Sequence, residues 1–247
     1  MLIALIVFAA AAVMFTAELL APGRTWPKVS GWWGRAIALN LVQVGVVFLA
    51  GMTWDVWLDG ISLIYSQAFL GTNGAAVFGY LMITFIYYWW HRARHEVGFL
   101  WRWFHQIHHS PQRLEIITSF YKHPAEILIN GMLSSLILYV ICGLRPESAM
   151  LAILLTGLAE LFYHWNVRTP YWMGFIIQRP ESHCIHHKQG WHRQNYADLP
   201  IWDMLFGTFH NPRSFDEECG FADDREKQLG AMLGGRDVHA DKETASG

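Results

Sequence analysis

The sequence predicts an all-α fold in which about four or five hydrophobic helices form a membrane bundle, with a helical cap at its cytoplasmic end. Three observations support this prediction. Hydrophobic residues make up 53% of the 247 residues and charged residues only 15%, whereas soluble domains carry about 25% charged residues. Long apolar runs recur along the chain. Most of the 13 histidines are clustered directly after such runs.

The first two hydrophobic helices are predicted at residues 2–20 and 36–57. The length of each is close to the roughly 20 residues that a helix needs to cross a bilayer. A cleavable signal peptide is the alternative for the first, but no positive charge precedes its apolar run. Glu18 lies near the end of this helix, where we expect it to reach the membrane interface.

A third helix is predicted from residue 74 to residue 90, and it ends in an aromatic run typical of a membrane interface. The preceding run, 61–70, is short and is predicted to be interfacial or re-entrant. Residues 124–142 and 148–165 are predicted to form a tight helical hairpin in the bilayer, because only five residues separate them. The expected total is therefore five hydrophobic helices, give or take one.

Lysine and arginine are distributed asymmetrically between the predicted loops. Of the 18 such residues, only Arg145 falls on the outer side in this arrangement. The positive-inside rule then places the chain start outside and every histidine cluster on the cytoplasmic side. We expect an integral protein of a bacterial inner membrane.

Three regions follow from this pattern. Residues 1–73 would hold the first helices and an outer loop, 74–215 the catalytic domain, and 216–247 a polar tail whose last dozen residues are disordered. The net charge of -2 and the lack of a basic run argue against a nucleic-acid partner. The three cysteines form no CxxC pair, so sulfur is not expected to bind a metal.

The histidine clusters have spacings that suit metal binding. His91 and His95 are four residues apart, which places them on one face of a helix. The same holds for the two HxxHH clusters, and His164 ends the last hydrophobic run. The clustered candidate ligands are His105, His108, His109, His183, His186 and His187, with His91, His95 and His164.

Nine imidazoles exceed what one metal ion takes, so they indicate two. Neutral imidazole binds iron, zinc and copper, and iron with open coordination positions activates dioxygen. We therefore expect two iron ions, with dioxygen as co-substrate and zinc as a substitute in purified samples. No catalytic residue is predicted beyond the ligands.

Two further residues are expected to orient ligands. Glu160 lies one helical turn before His164, and buried charges in apolar helices usually mark function. The alternative is an ion pair with Arg168. His192 follows His187 by five residues and is expected either to lie behind the ligands or on the surface. His210 and His239 are not expected to bind metal.

Two other functions fit clustered histidines. One is a zinc-dependent membrane hydrolase, but in HRARHE the glutamate follows the second histidine, unlike the HExxH motif. The other is a metal transporter or sensor. Transporters usually place their ligands at mid-bilayer, whereas these clusters lie at the ends of helices.

Together these segments resemble the fatty acid hydroxylase/sterol desaturase superfamily of membrane di-iron enzymes over residues 80–210. The similar segments are HRARHE, FHQIHHSP, YKHPAE, FYHWNV and RPESHCIHH, followed by NYADLPIWDMLFGTF. Arg168 stands where fatty-acid 2-hydroxylase members carry a further histidine, which favours the sterol-desaturase-like branch.

The resemblance implies an oxygen-dependent hydroxylase or desaturase that acts on an aliphatic C–H bond of a lipid in the bilayer. It adds His123 as a tenth candidate ligand, and Asn166 as a weaker ligand or orienting group. The His-Pro-Gly-Gly signature of fused cytochrome b5 domains does not occur in the sequence. We therefore expect a separate electron donor, ferredoxin-like or cytochrome b5-like, with its reductase.

Overall fold

The computed structural model describes residues 2–239, and the side chains of residues 9–239. Within that part of the chain every regular element is a helix, and the only β-type pairing is an isolated bridge between Lys188 and Cys219. The predicted all-α fold class is confirmed.

Five apolar helices form the larger part of the fold. They are α1 (Leu2–Leu20), α2 (Trp32–Met52), α3 (Ser66–Glu96), α4 (Pro124–Ser135) and α5 (Pro146–His164). Trp54–Leu58 continues α2, and a π-helical segment, Leu136–Ile141, continues α4. Four of these stretches are long and apolar enough to cross a membrane: Trp32–Leu58, Ser66–Glu96, Pro124–Ile141 and Pro146–His164. The described side chains of α1 add the shorter apolar stretch Ala9–Leu20.

Short helices link and follow the long ones. Between α3 and α4 lie Gly98–Leu100, the π-helix Trp101–His105, Gln106–His109 and the 3-10 helix Ile116–Thr118. After α5 come the 3-10 helix Tyr171–Phe175, α6 (Pro180–His186), α7 (Pro200–Leu205), the 3-10 helix Arg225–Lys227 and α8 (Leu229–Leu233). The second and third histidine clusters lie on these short elements, except His187, which directly follows α6.

The segment 61–70 contains the first turns of α3, which begin at Ser66, and a kink at Gly71 (φ 64°, ψ -176°) separates these turns from the long helix that follows. This start of α3 packs on the turn between α4 and α5. Gly143 in that turn has φ +63°, and a Cβ there would collide with the Ile64 carbonyl oxygen. The Ser66 hydroxyl donates to the Cys142 carbonyl at 2.5 Å. A close backbone approach therefore fixes the segment 61–70 against the turn, and its interfacial or re-entrant position stays a prediction.

Small residues bring α3 close to the hairpin of α4 and α5. Ala75 and Ala152 are fully buried in the same cluster. A Cβ on Gly79 would lie 2.7 Å from Leu138 and 2.8 Å from Leu144. Such residues allow helix backbones to approach closely in membranes. The close packing places the last turns of α3 and α5 side by side, and both turns carry histidines.

Glu18 is buried within the protein, near the end of α1, and its place at the membrane interface stays a prediction. Its side chain is only 5% exposed, and its Oε2 accepts hydrogen bonds from the backbone N–H groups of Asn166 (2.7 Å) and Ile116 (3.0 Å). A buried carboxylate needs such donors to offset its lost hydration. Glu18 thus ties the end of α1 to the segments that follow α5 and precede α4.

The described part of the polar tail packs on the second histidine cluster. Phe221, Met232 and Val238 are buried in one apolar group with Trp101 and Ile107. The sequence predicts disorder from about residue 236 onward, yet Val238 is among these buried residues. Residues 240–247 lie outside the described part of the chain.

Candidate metal centre

The histidines of the clusters converge into two groups. In each group, one nitrogen from every imidazole lies within 4.8 Å of those of the others. The five-histidine group consists of His91, His95, His105, His109 and His186, and the four-histidine group of His108, His164, His183 and His187. All nine histidines that the spacing singled out are therefore brought together.

Each HxxHH cluster contributes to both groups. His105 and His109 join the five-histidine group, whereas His108 joins the other; His183 and His187 join the four-histidine group, whereas His186 does not. The reason is helical geometry, since positions i+3 and i+4 lie about 100° apart around the axis. The expectation that each cluster would present a single face was therefore too simple.

The two groups adjoin each other. The rings of His109 and His187, one from each group, stack with their centroids 4.1 Å apart. Aromatic side chains cover the outer sides of the two groups. The ring centroids of Tyr163 and His183 are 4.4 Å apart, and those of Trp101 and His95 are 5.4 Å apart. The result is a continuous imidazole layer with a mainly aromatic surround.

Backbone carbonyls orient several of the rings. The Nδ1 atoms of His91, His186 and His164 lie 2.7, 2.6 and 2.9 Å from the carbonyl oxygens of Tyr196, Gln194 and Glu160, respectively. A carbonyl can only accept, so each of these Nδ1 atoms carries the proton. Each Nε2 atom is then free to bind a metal.

The loop that supplies two of these carbonyls has an unusual backbone. His192, Gln194 and Asn195 have positive φ values of 46°, 64° and 50°. This conformation is uncommon for residues other than glycine and is often found at functional sites. Here it turns the chain so that the Gln194 and Tyr196 carbonyls face the histidine layer.

The arrangement fits bound metal ions better than hydrogen bonds alone. The Nε2 atoms of His91 and His186 lie 3.0 Å apart, although both rings carry their proton on Nδ1. Two lone pairs therefore face each other, and a cation between them would remove that repulsion. Both nitrogens of His187, with His95 Nε2 and His108 Nδ1, are buried without a hydrogen-bond partner. Such orphaned nitrogens are what a metal ligand set leaves behind.

Burial keeps the imidazoles neutral, as ligands must be. It lowers the pKa of His105, His108 and His109 well below the usual value, and neighbouring positive charges add to the effect. For His186, burial lowers the pKa to about 3. Neutral imidazole is the metal-binding form, so these rings are in the state that a metal ion requires.

Two residues taken from the resemblance lie elsewhere. His123 belongs to neither group: its Nδ1 accepts from the Ala125 N–H at 3.0 Å and so caps α4. The Asn166 side chain accepts from the Arg24 N–H at 2.9 Å and donates to the Arg24 carbonyl at 2.8 Å. Backbone groups already use these side-chain atoms, so the structure gives no support for a metal role of His123 or Asn166.

The two expected orienting residues differ in outcome. His192 Nδ1 lies 3.2 Å from His109 Nδ1, directly behind the five-histidine group. The Glu160 carboxylate instead forms an ion pair with Lys122, so neither His164 nor Arg168 is its partner. His164 is oriented by the backbone carbonyl of Glu160 rather than by its side chain.

Sequence reasoning missed Glu126, although YKHPAE contains it. Its Oε1 lies 3.1 Å from His105 Nδ1, and Arg94 pairs with the same carboxylate. An acidic residue in the first turn of an apolar helix is the signal that could have found it.

The comparisons with known proteins identify a family. The profile of the family described as "Fatty acid hydroxylase" matches residues 76–208. An ornithine lipid hydroxylase from Rhizobium tropici is 31% identical over 76% of this chain and 61% of its own length. A sphingolipid C4-hydroxylase from Schizosaccharomyces pombe is 28% identical over 56% of the chain and 48% of its own length. A human alkylglycerol monooxygenase is 32% identical over 53% of the chain and 29% of its own length.

The chain therefore spans about three fifths or less of the length of these relatives. No solved structure matches it. The family match covers more than half of the chain and contains all nine clustered histidines. The names of the relatives describe oxidoreductases that act on lipids. The chain belongs to the fatty acid hydroxylase family, within the fatty acid hydroxylase/sterol desaturase superfamily.

Proposed function

We propose that this protein hydroxylates an aliphatic C–H bond of a membrane lipid, using dioxygen and two iron ions held by the two histidine groups. The observation that carries the proposal is the pair of adjoining imidazole groups at the ends of membrane-type helices. The names of the relatives, which include lipid hydroxylases and a monooxygenase, support the same reaction class.

The iron ions would supply the activation of dioxygen, which no side chain provides by itself. The protein's own part is to hold nine neutral imidazoles in place and to limit water around them. Carbonyl oxygens fix the tautomers of His91, His164 and His186. The aromatic rings of Trp101 and Tyr163 cover the layer and keep the surroundings apolar.

An apolar groove offers a place for the alkyl chain of the substrate. It has a volume of about 320 Å³ and lies between α3 and α4, where it is lined by Trp90, Ile129, Met132, Leu133 and Leu136. Trp90 links the groove to the five-histidine group, because the Arg94 guanidinium lies 5.5 Å from the Trp90 ring centroid and its Nη1 lies 3.1 Å from His105 Nδ1. A lipid chain lying there would run from the bilayer toward the metals.

Filling this groove is expected to change the choice of substrate. Met132 is 44% exposed and lines the groove, so M132W should shorten the space without disturbing the core. We expect the hydroxylated products to shift toward shorter alkyl chains, measured by lipid mass spectrometry of cells that express the variant.

Leu128 provides the matched control, because it is 37% exposed on the same helix but does not line the groove. The L128W variant should leave the product distribution unchanged. Equal distributions for M132W, L128W and the wild type would contradict a role of the groove in substrate binding.

The proposed reaction is tested with the purified protein in lipid nanodiscs. We expect about two iron ions per chain, with oxygen uptake that requires both a reductant and lipid. A product one oxygen atom heavier than its lipid precursor indicates hydroxylation, and one lacking two hydrogens indicates desaturation. Protein isolated from cells with zinc and hydrolytic activity, or with no redox metal, would overturn the proposal.

The electron source and the orientation belong to the same proposal. The Lys and Arg distribution supports a centre that faces the cytoplasm, where a separate ferredoxin-like or cytochrome b5-like protein could deliver electrons. Thiol-specific labelling from either side of the membrane, at cysteines introduced by S214C and S62C, tests this orientation. Labelling of S214C only from outside would contradict it.

A further inference from the structure

Glu126 is a buried carboxylate at the edge of the histidine layer. It lies in the first turn of α4, and its side chain is fully buried. Its Oε1 is 3.1 Å from His105 Nδ1 and also pairs with the Arg94 guanidinium. The Arg94 side chain is itself only 5% exposed and lies over the Trp90 ring, 5.5 Å from its centroid.

A buried ion pair of this kind is not explained by stability alone. Two charges that leave water lose several kcal/mol of hydration each, and an apolar pair of similar size is often as stable. The carboxylate here also contacts a ring of the five-histidine group. Its second oxygen, Oε2, has no hydrogen-bond partner. Arg94 Nη1 also lies 3.1 Å from His105 Nδ1, so both members of the pair contact this imidazole rather than simply filling space.

The Nδ1 atom of His105 contacts a charged carboxylate, whereas the other oriented rings have neutral hydrogen-bond partners. His91, His164 and His186 have neutral carbonyl partners, His183 has the Gln178 amide at 2.8 Å, and His109 has His192. Among the described residues, His105 is the one histidine of the nine with an ion-pair contact to a carboxylate. The two groups are therefore electrostatically unequal.

We propose that Glu126, held in place by Arg94, is a positioning residue that fixes the tautomer of His105 and strengthens its Nε2 as a metal donor. The inference rests on the proposed metal centre. Arg94 can only donate, and it already pairs with the carboxylate, so Glu126 is the neighbour that can accept the Nδ1 proton of His105. That tautomer leaves Nε2 free, 3.2 Å from His109 Nε2. A carboxylate in this position polarises the ring toward imidazolate and raises its basicity. It also favours the more highly charged, oxidised state of a metal in the five-histidine group.

The test compares E126Q with E160Q in the full-length protein. Glu160 provides the control because it is also a largely buried acid with a cationic partner, Lys122, but its carboxylate does not contact an imidazole in the described residues. Metal-depleted protein is titrated with Co²⁺, and the midpoint potential of the iron-loaded protein is measured by spectroscopic redox titration. We expect E126Q to bind Co²⁺ about 10–100-fold less tightly in one of two sites. Its midpoint potential should rise, because Arg94 loses its counter-charge.

E126D serves as the conservative variant. It keeps the charge but shortens the reach, so it should recover part of the affinity, and it decides the question if E126Q does not fold. Unchanged Co²⁺ affinity and potential in a folded E126Q or E126D variant would overturn the inference. Changes of the same size in the Co²⁺ affinity and midpoint potential of E160Q would also overturn the inference. They would show that loss of any buried acidic charge has this effect, whether or not it contacts an imidazole. If the wild type itself binds no redox metal, the proposed function fails instead.

Discussion

Replacing His183 by alanine is expected to reduce lipid hydroxylation to background and to remove one of the two metal ions. His183 is 2% exposed, and its Nε2 lies 3.0 Å from His164 Nε2 within the four-histidine group. The variant would leave three imidazoles for that metal. We expect activity to fall by more than the roughly 10–100-fold that loss of a partner outside the ligand set usually causes. Iron content per chain and product formation measure the effect.

Two other histidines are suitable controls. His123 caps α4 through its Nδ1, and His210 is exposed. H123A and H210A should therefore retain both metal ions, although H123A removes a helix cap and should lower stability by about 1 kcal/mol. Full metal content in H183A, or metal loss in H123A equal to that in H183A, would contradict the assignment of the two groups.

The helices and histidines were predictable because their signals are local. Apolar runs predicted the spanning helices, and the spacing of four residues predicted that His91 and His95 share a face. The short helical segment between Ser66 and the kink at Gly71 was not predictable in this way, because it packs where the Gly143 turn closely approaches Ile64. That contact joins segments far apart in the sequence.

The partners of the histidines depend on contacts of the same long-range kind. The Tyr196 carbonyl faces His91, which is 105 residues away, and Glu126 faces His105 across 21 residues. No spacing rule predicts such pairs. Motif similarity also assigned metal roles to His123 and Asn166, whose polar atoms are used by nearby backbone. A motif identifies which residues are present, whereas the hydrogen bonds decide which of them remain available.

Replacing Asp203 by alanine is expected to cause the largest loss of stability outside the histidines. Asp203 is 1% exposed, and its carboxylate accepts from the N–H groups of Tyr196 (2.8 Å) and Ala197 (3.0 Å) and from the Thr208 hydroxyl (2.7 Å). D203A leaves two buried N–H groups unpaired. Each costs about 1–3 kcal/mol, so we expect a loss of about 3–5 kcal/mol in the free energy of unfolding.

The same substitution should weaken metal binding at a distance, because the N–H of Tyr196 is held by Asp203 while its carbonyl orients His91 at 2.7 Å. Stability is measured by denaturation in detergent, and metal affinity by Co²⁺ titration. D203N keeps the volume and one acceptor, so it should fall between D203A and the wild type. D216A, at an exposed aspartate, should change neither quantity. If D203A lowered stability but left Co²⁺ affinity unchanged, the Tyr196 carbonyl would not depend on Asp203 for its position, and His91 would be held by the metal and α3 alone.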